Sequence, residues 1–173
     1  MNVPLNTPAP ILVFAWGNPS RGDDALGPLF AEAVEGMQLP GVEVLTDFQL
    51  QVEHALDLLG RERVLFVDAS VRTDVQASSE DTQPFLVTTL VSQHVPSHTT
   101  HALRPEAVLQ VFADVHHQPP PPAWLLSIPG EAWDLGEPVS PVARQRLDAA
   151  LRWASHWLAG STRAAQEATQ AAA

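Results

Sequence analysis

Residues 11–27 read ILVFAWGNPSRGDDALG, an apolar run that ends in a glycine turn with two aspartates and then takes up helical spacing. This pattern predicts a buried strand that feeds a helix across a tight loop. Asp23 and Asp24 would then lie just beyond the carboxyl end of that strand. Because ligands of open α/β sheets bind outside the carboxyl ends of strands, this turn is where a functional site is expected.

The remaining chain continues the alternation of strands and helices. Apolar runs predict further strands at 42–45, 64–67, 85–90 and 124–128, and helical spacing predicts helices after residue 25, at 50–59, from about 105 and at 140–158. Such a rhythm implies right-handed parallel crossovers. We therefore expect an α/β three-layer sandwich, a twisted five-stranded mostly parallel sheet with helices on both faces. The fourth strand is the candidate for antiparallel pairing, since no helix separates it from the third.

The 173 residues are long enough for one domain with a sizeable core. We expect a single domain over 1–173 with its core at about 10–158, a flexible proline-rich leader at 1–9 and a flexible alanine-rich tail after 160. Two polar stretches, 70–84 and 91–104, are expected to be long loops. Loops of that length inside a compact domain are functional or mobile.

Composition excludes several classes of function. The net charge is −11, and no basic patch that could bind nucleic acid is visible. All nine basic residues are arginines, so the chain has no lysine for a Schiff base or a Walker-type phosphate loop. The absence of cysteine removes thiolate nucleophiles and thiolate metal sites. No apolar run reaches the roughly 18 residues of a membrane span, and the N-terminus lacks the pattern of a secretory signal. We expect a cytoplasmic monomer without membrane insertion.

A candidate metal site follows from the predicted topology. If the first three strands are ordered 2-1-3, then Asp24 after the first strand and Asp68 at the end of the third face each other, with a histidine from 94, 98 or 101 nearby. Two carboxylates and an imidazole suit nickel, zinc or a similar divalent ion. Each residue also has a simpler interpretation. An aspartate can cap a helix or form a turn, and a loop histidine is usually solvated.

Three motifs, GNPSRGDDALGPLFAEAVEG, RVLFVDAS and HTTHALRPEAVLQVF, resemble those of the hydrogenase maturation endopeptidases in order and approximate spacing. A fourth stretch, IPGEAWDLGEPVSP, resembles the family's last strand and the entry to its final helix. The resemblance covers roughly residues 11–158. It implies a similar α/β fold and an enzyme that removes a C-terminal extension from the large-subunit precursor of nickel-iron hydrogenase.

The resemblance also implies the roles of individual residues. Asp24, Asp68 and His101 match the family's metal-contacting positions, and we take them as both the catalytic and the metal-contacting residues. Asp23 is the best spare carboxylate for general-base work, with helix capping as an equal alternative. Nickel is expected to arrive on the substrate as a recognition element, and no organic cofactor is implied.

The chain departs from the family pattern at two places. Ala25 stands where a glycine often follows the acidic pair, and DFQLQVEHALDL replaces the Gly-Thr turn that some relatives have after the second strand. Two other functions stay open at this point. A nickel metallochaperone that cuts nothing would use the same ligands, whereas nucleotide binding is less favoured because an acidic pair repels phosphate.

Overall fold

The computed structural model of the protein describes residues 7–71, 83–93 and 103–171. The strands are β1 (Ile11–Trp16), β2 (Val42–Asp47), β3 (Arg63–Val71), β4 (Leu86–Leu90) and β5 (Ala123–Gly130), and the helices are α1 (Leu26–Gly36), α2 (Pro105–His116) and α3 (Pro141–Ala171). Two 3₁₀ helices, Gly22–Ala25 and Val52–Leu58, follow β1 and β2. Among the described residues, no helix combines the length and the apolar character that crossing a membrane requires.

The strands form one sheet in the order β2-β1-β3-β5-β4. All neighbouring pairs are parallel except β4 with β5, which is antiparallel. The predicted α/β fold class, the 2-1-3 order of the first three strands and the antiparallel fourth strand are thus confirmed. In the β1–β3 pair Ala15 lies opposite Val67, so both strands end at the same edge of the sheet. We call this edge, where β1, β2, β3 and β5 end, the carboxyl edge.

Helices cover both faces of the sheet because alternate strand residues point to opposite sides. Ile11, Val13 and Ala15 of β1 belong to the hydrophobic core under α1 and α3. Leu12, Phe14 and Trp16 belong to a second core under α2 and the segment 50–58. The uninterrupted apolar run of β1 is therefore what a strand covered on both faces requires.

Several elements extend beyond the predicted limits. β3 runs to Val71 and β5 to Gly130 because these two strands pair with each other beyond their apolar runs, Asp68 opposite Ser127 and Val71 opposite Gly130. The predicted helix at 50–59 is a 3₁₀ helix, in which the buried residues Ala55 and Leu58 lie three positions apart on one side. The tail after 160 continues α3 as far as Ala171. Most of the predicted leader and of the two predicted loops lies outside the described residues.

Candidate active site at the carboxyl edge

The structure brings Asp24 and Asp68 together at the carboxyl edge. Asp24 lies in the 3₁₀ helix that follows β1, and Asp68 lies in β3, which pairs directly with β1. The pKa of Asp68 is raised to about 7, first by burial and second by the negative charge of Asp24, while the hydrogen bond from the Ala69 N–H acts in the opposite direction. Near neutral pH Asp68 therefore keeps its proton in a large fraction of the molecules, and a divalent cation would displace that proton.

The position of Asp24 is fixed by the tight turn that precedes it. The backbone N–H of Asn18 donates to Asp24 Oδ2 at 3.0 Å. Gly17 has a φ of +144°, and a side chain at this position would overlap the Asp24 carbonyl oxygen. A side chain at Gly27 would likewise overlap the Trp16 carbonyl oxygen, so α1 can begin directly against the end of β1 only with glycine there. The glycines of this motif are thus needed to place one carboxylate.

Asp23 has a different role from its neighbour. Its side chain is completely buried, and its Oδ2 accepts hydrogen bonds from the N–H groups of Glu131 and Ala132 at 2.7 and 3.0 Å. Ser140 donates its N–H to Oδ1 at 2.7 Å and its hydroxyl to Oδ2 at 2.8 Å. Burial alone would raise the pKa of Asp23, but these four hydrogen bonds outweigh it and lower the pKa.

The environment of Asp23 bears on both of its predicted roles. A buried carboxylate with both oxygens occupied is poorly suited to take a proton from water, so the geometry disfavours the general-base role. Asp23 does not cap the helix that follows in sequence, where no side chain caps the N-terminus, and the N–H of Ala143 in α3 donates to Ser140 Oγ rather than to Asp23. Asp23 instead binds Ser140, the residue before α3, and so joins the turn after β1 to the start of the last helix.

His101, the third predicted ligand, and the alternatives His94 and His98 lie outside the described residues. Over residues 7–71, 83–93 and 103–171, no group of three potential metal ligands comes together. The helix that the histidine motif leads into does begin at Pro105, as predicted. The three-ligand site therefore stays a prediction. The described residues include its two carboxylates, Asp24 and Asp68, but not its histidine.

Known structures with a similar fold were found, whereas no family model and no curated protein matches the sequence. The nickel-iron hydrogenase maturation protease HycI from Thermococcus kodakarensis superposes with a TM-score of 0.65 at 19% identity, covering 87% of this chain and 92% of the other. The hydrogenase maturating endopeptidase HybD from E. coli superposes with a TM-score of 0.64 at 24% identity, covering 87% of this chain and 93% of the other. The chain has the fold of the hydrogenase maturation proteases. The resemblance predicted from the motifs is confirmed at the level of the fold.

Within this maturation protease fold, the segment that departs from the family pattern forms a polar cluster at the end of β2. The N–H of Gln51 donates to Nδ1 of His54 at 2.9 Å, which leaves the ring proton on Nε2, 3.2 Å from Asp47 Oδ2. The His54 ring also packs against Phe14 at 4.5 Å between ring centroids. This cluster fixes the chain directly after β2.

The cluster was not predicted from the sequence, although Asp47 and His54 were visible in the departing segment. Its partners are close in sequence, so spacing alone could have suggested it. By contrast, the contact of Asp23 with Ser140 spans 117 positions and leaves no local signal. In this chain the two arrangements lie on the two sides of the turn after β1.

Proposed function

We propose that this chain is a hydrogenase maturation protease, an endopeptidase that removes the C-terminal extension of the nickel-loaded large-subunit precursor of nickel-iron hydrogenase. The observation that supports it most is the meeting of two carboxylates, Asp24 and Asp68, at the carboxyl edge of this fold. Carboxylates at that edge are placed to receive a cation carried on an incoming chain. The enzyme would act in the cytoplasm as a monomer.

In this proposal nickel belongs to the substrate and serves as the recognition element. Asp24 and Asp68 would contact it through oxygen, and His101 would supply a nitrogen. With three ligands and no thiolate, the isolated protein would bind the metal weakly. Stable binding would therefore also require the ligands of the precursor. Only a precursor that already holds nickel would then be bound and cut.

The carboxylate pair could also serve the hydrolysis itself. Asp68 has a raised pKa near neutrality because of its burial and of Asp24. This pKa belongs to the metal-free pair, because a cation bound to Asp68 would displace the proton; a role in hydrolysis is therefore proposed from the position of the pair beside the bound substrate and not from this pKa. Asp24, Asp68 and His101 are accordingly our proposed catalytic residues, and Asp23 is proposed to position Asp24 through the turn they share.

Mass spectrometry of the precursor tests this proposal. Nickel-loaded and nickel-free large-subunit precursor are each incubated with the purified protein, and the masses of both products are measured. We expect a shortened large subunit and a released C-terminal peptide only with nickel. An intact precursor that gains or loses nickel would instead identify a metallochaperone, and cleavage at equal rates in both samples would exclude nickel as the recognition element.

A further inference from the structure

Two strongly exposed apolar side chains lie next to the turn after β1. Phe48, directly after β2, is 67% exposed, and Leu135, in the loop between β5 and α3, is 76% exposed. Single exposed apolar residues are common on protein surfaces and need no function. These two differ because each lies next to a residue that is hydrogen-bonded to the same turn.

Phe48 is held in place through Asp47. The backbone carbonyl of Asp47 accepts the N–H of Gly17 at 3.1 Å, and its Oδ1 accepts the N–H of Phe48 at 2.6 Å. Leu50, two residues later, is buried in the core under α2. The exposed ring of Phe48 thus stands on a segment that is fixed on both sides.

Leu135 is held in place through the residues around it. The N–H of Gly136 donates to the Ser20 carbonyl at 2.8 Å, and the N–H of Gly22 donates to the Glu137 carbonyl at 3.1 Å. Trp133, two residues earlier, packs against the core under α1 and α3. Leu135 is therefore also presented by an anchored segment, which lowers the entropy lost when a partner covers it.

The two side chains belong to segments that are hydrogen-bonded to different parts of the same turn, the Phe48 segment to Gly17 and the Leu135 segment to Ser20 and Gly22. The segment of Phe48 packs into the core under α2, and the segment of Leu135 packs against the core under α1 and α3. A molecule that contacts both segments lies along the turn between them, which carries Asp24. Beside this turn is the Asp24–Asp68 pair, whose charge favours a positively charged centre.

We propose that Phe48 and Leu135 are two apolar anchors for one extended segment of the substrate protein, which lies across the carboxyl edge with its cationic centre over the carboxylates. This inference rests on the proposed function and adds a substrate requirement to it. The bound segment carries apolar side chains on both sides of its metal-bearing residues. The anchors hold the substrate, and the carboxylates recognise its metal.

Processing kinetics test this inference. Phe48→Ser, Leu135→Ser and the double variant are compared with wild type at increasing concentrations of nickel-loaded precursor. Covering about half of a large apolar side chain corresponds to about a tenfold change in affinity. We therefore expect KM to rise about tenfold for each single variant and about a hundredfold for the double variant, since the effects of independent contacts add. We expect kcat to change less than about twofold, because neither side chain touches the reacting groups.

Two matched control variants are available at the opposite edge of the sheet. Leu59 and Val115 are 47% and 56% exposed, and Leu59→Ser and Val115→Ser should leave KM within about twofold of wild type. Thermal unfolding of every variant shows whether it is folded. If wild type processes the precursor and the anchor variants match the controls, the anchors are wrong and the proposed function stands.

Other outcomes also overturn the inference. A fall in kcat with unchanged KM would mean that the side chains act in the reaction and not in docking. A shift from dimer to monomer in sedimentation of Phe48→Ser or Leu135→Ser alone would mean that they join two copies of this chain. An intact precursor with wild type would refute the proposed function itself, and the anchors with it.

Discussion

Replacement of Asp23 by asparagine should destabilise the protein without removing a catalytic group. The carboxylate accepts three backbone N–H groups and one hydroxyl, all within 3.0 Å. Asparagine has a single acceptor oxygen, so its amide group must face at least one N–H donor. A buried donor would then be left without an acceptor on the side chain that replaces Asp23.

The size of the effect follows from these contacts. A hydrogen bond to a charged group contributes about 1.5–3 kcal/mol, and a buried donor left unpaired costs about as much. We expect Asp23→Asn to lower the free energy of unfolding by about 3–4 kcal/mol. For a chain of this length that corresponds to a Tm lower by about 6–16 °C.

The effect should depend on pH in a defined direction. The pKa of Asp23 is lowered in the folded protein, so its contribution to stability is present above the unfolded-state pKa of about 3.9 and is lost as the pH falls through the folded-state value. The difference between wild type and Asp23→Asn should therefore shrink below about pH 4. Thermal unfolding monitored by circular dichroism at pH 7 and at pH 3–4 measures both quantities.

The exposed Asp148 on α3 offers the matched control, because Asp148→Asn makes the same chemical change outside any buried network. That control should stay within about 0.5 kcal/mol of wild type. Folded Asp23→Asn, assayed well below its Tm, should keep processing activity within about tenfold. An unchanged Tm combined with a loss of activity of about a hundredfold or more would refute this reasoning and restore Asp23 as a general base.

Three further predictions concern the same turn and the carboxylate pair. The pKa of Asp68 is raised to about 7 in the folded protein, so wild type loses stability as the pH rises from about 4 to about 7. Asp68→Asn should therefore have a higher Tm than wild type at pH 8 but not at pH 4, and equal Tm values at pH 8 would contradict this. Nickel binding to the isolated protein, measured by calorimetry, should be weak and should weaken further below about pH 7, as protons compete for Asp68; stoichiometric metal retained through chelator treatment would be the opposite result. Gly17→Ala should destabilise the protein by about 2 kcal/mol or more in thermal unfolding, because its side chain would overlap the Asp24 carbonyl, whereas Gly160→Ala, which meets no neighbour, should not.

The fold was largely predictable because its signals are local. The apolar run 11–16 matches β1 at both ends, and the helices predicted from about 105 and from 140 begin at Pro105 and Pro141. The ends of β3 and β5 were not predictable from their own residues. Polar residues such as Asp68 and Ser70 belong to β3 because β5 continues beside them, and a strand's own composition does not record its partner.

The candidate site was predictable in part. The positions of Asp24 and Asp68 follow from strand order and from the rule that ligands bind at carboxyl ends. The role of Asp23 could not be predicted, because its partners Glu131, Ala132 and Ser140 are more than a hundred positions away. A pair of adjacent aspartates looks the same in sequence whether one of them is buried or both face solvent.

We propose that Asp24, Asp68 and His101 together recognise substrate-bound nickel and bring about cleavage. The most direct measurement is the rate at which Asp24→Asn, Asp68→Asn and His101→Ala process nickel-loaded precursor. Asp148→Asn is the matched control, and thermal unfolding shows whether each variant is folded. We expect each of the three variants to lose most or all of its activity, because each removes one of only three proposed protein ligands of the metal. The control should process the precursor at the wild-type rate. Folded and fully active variants at two of the three positions would contradict the claim.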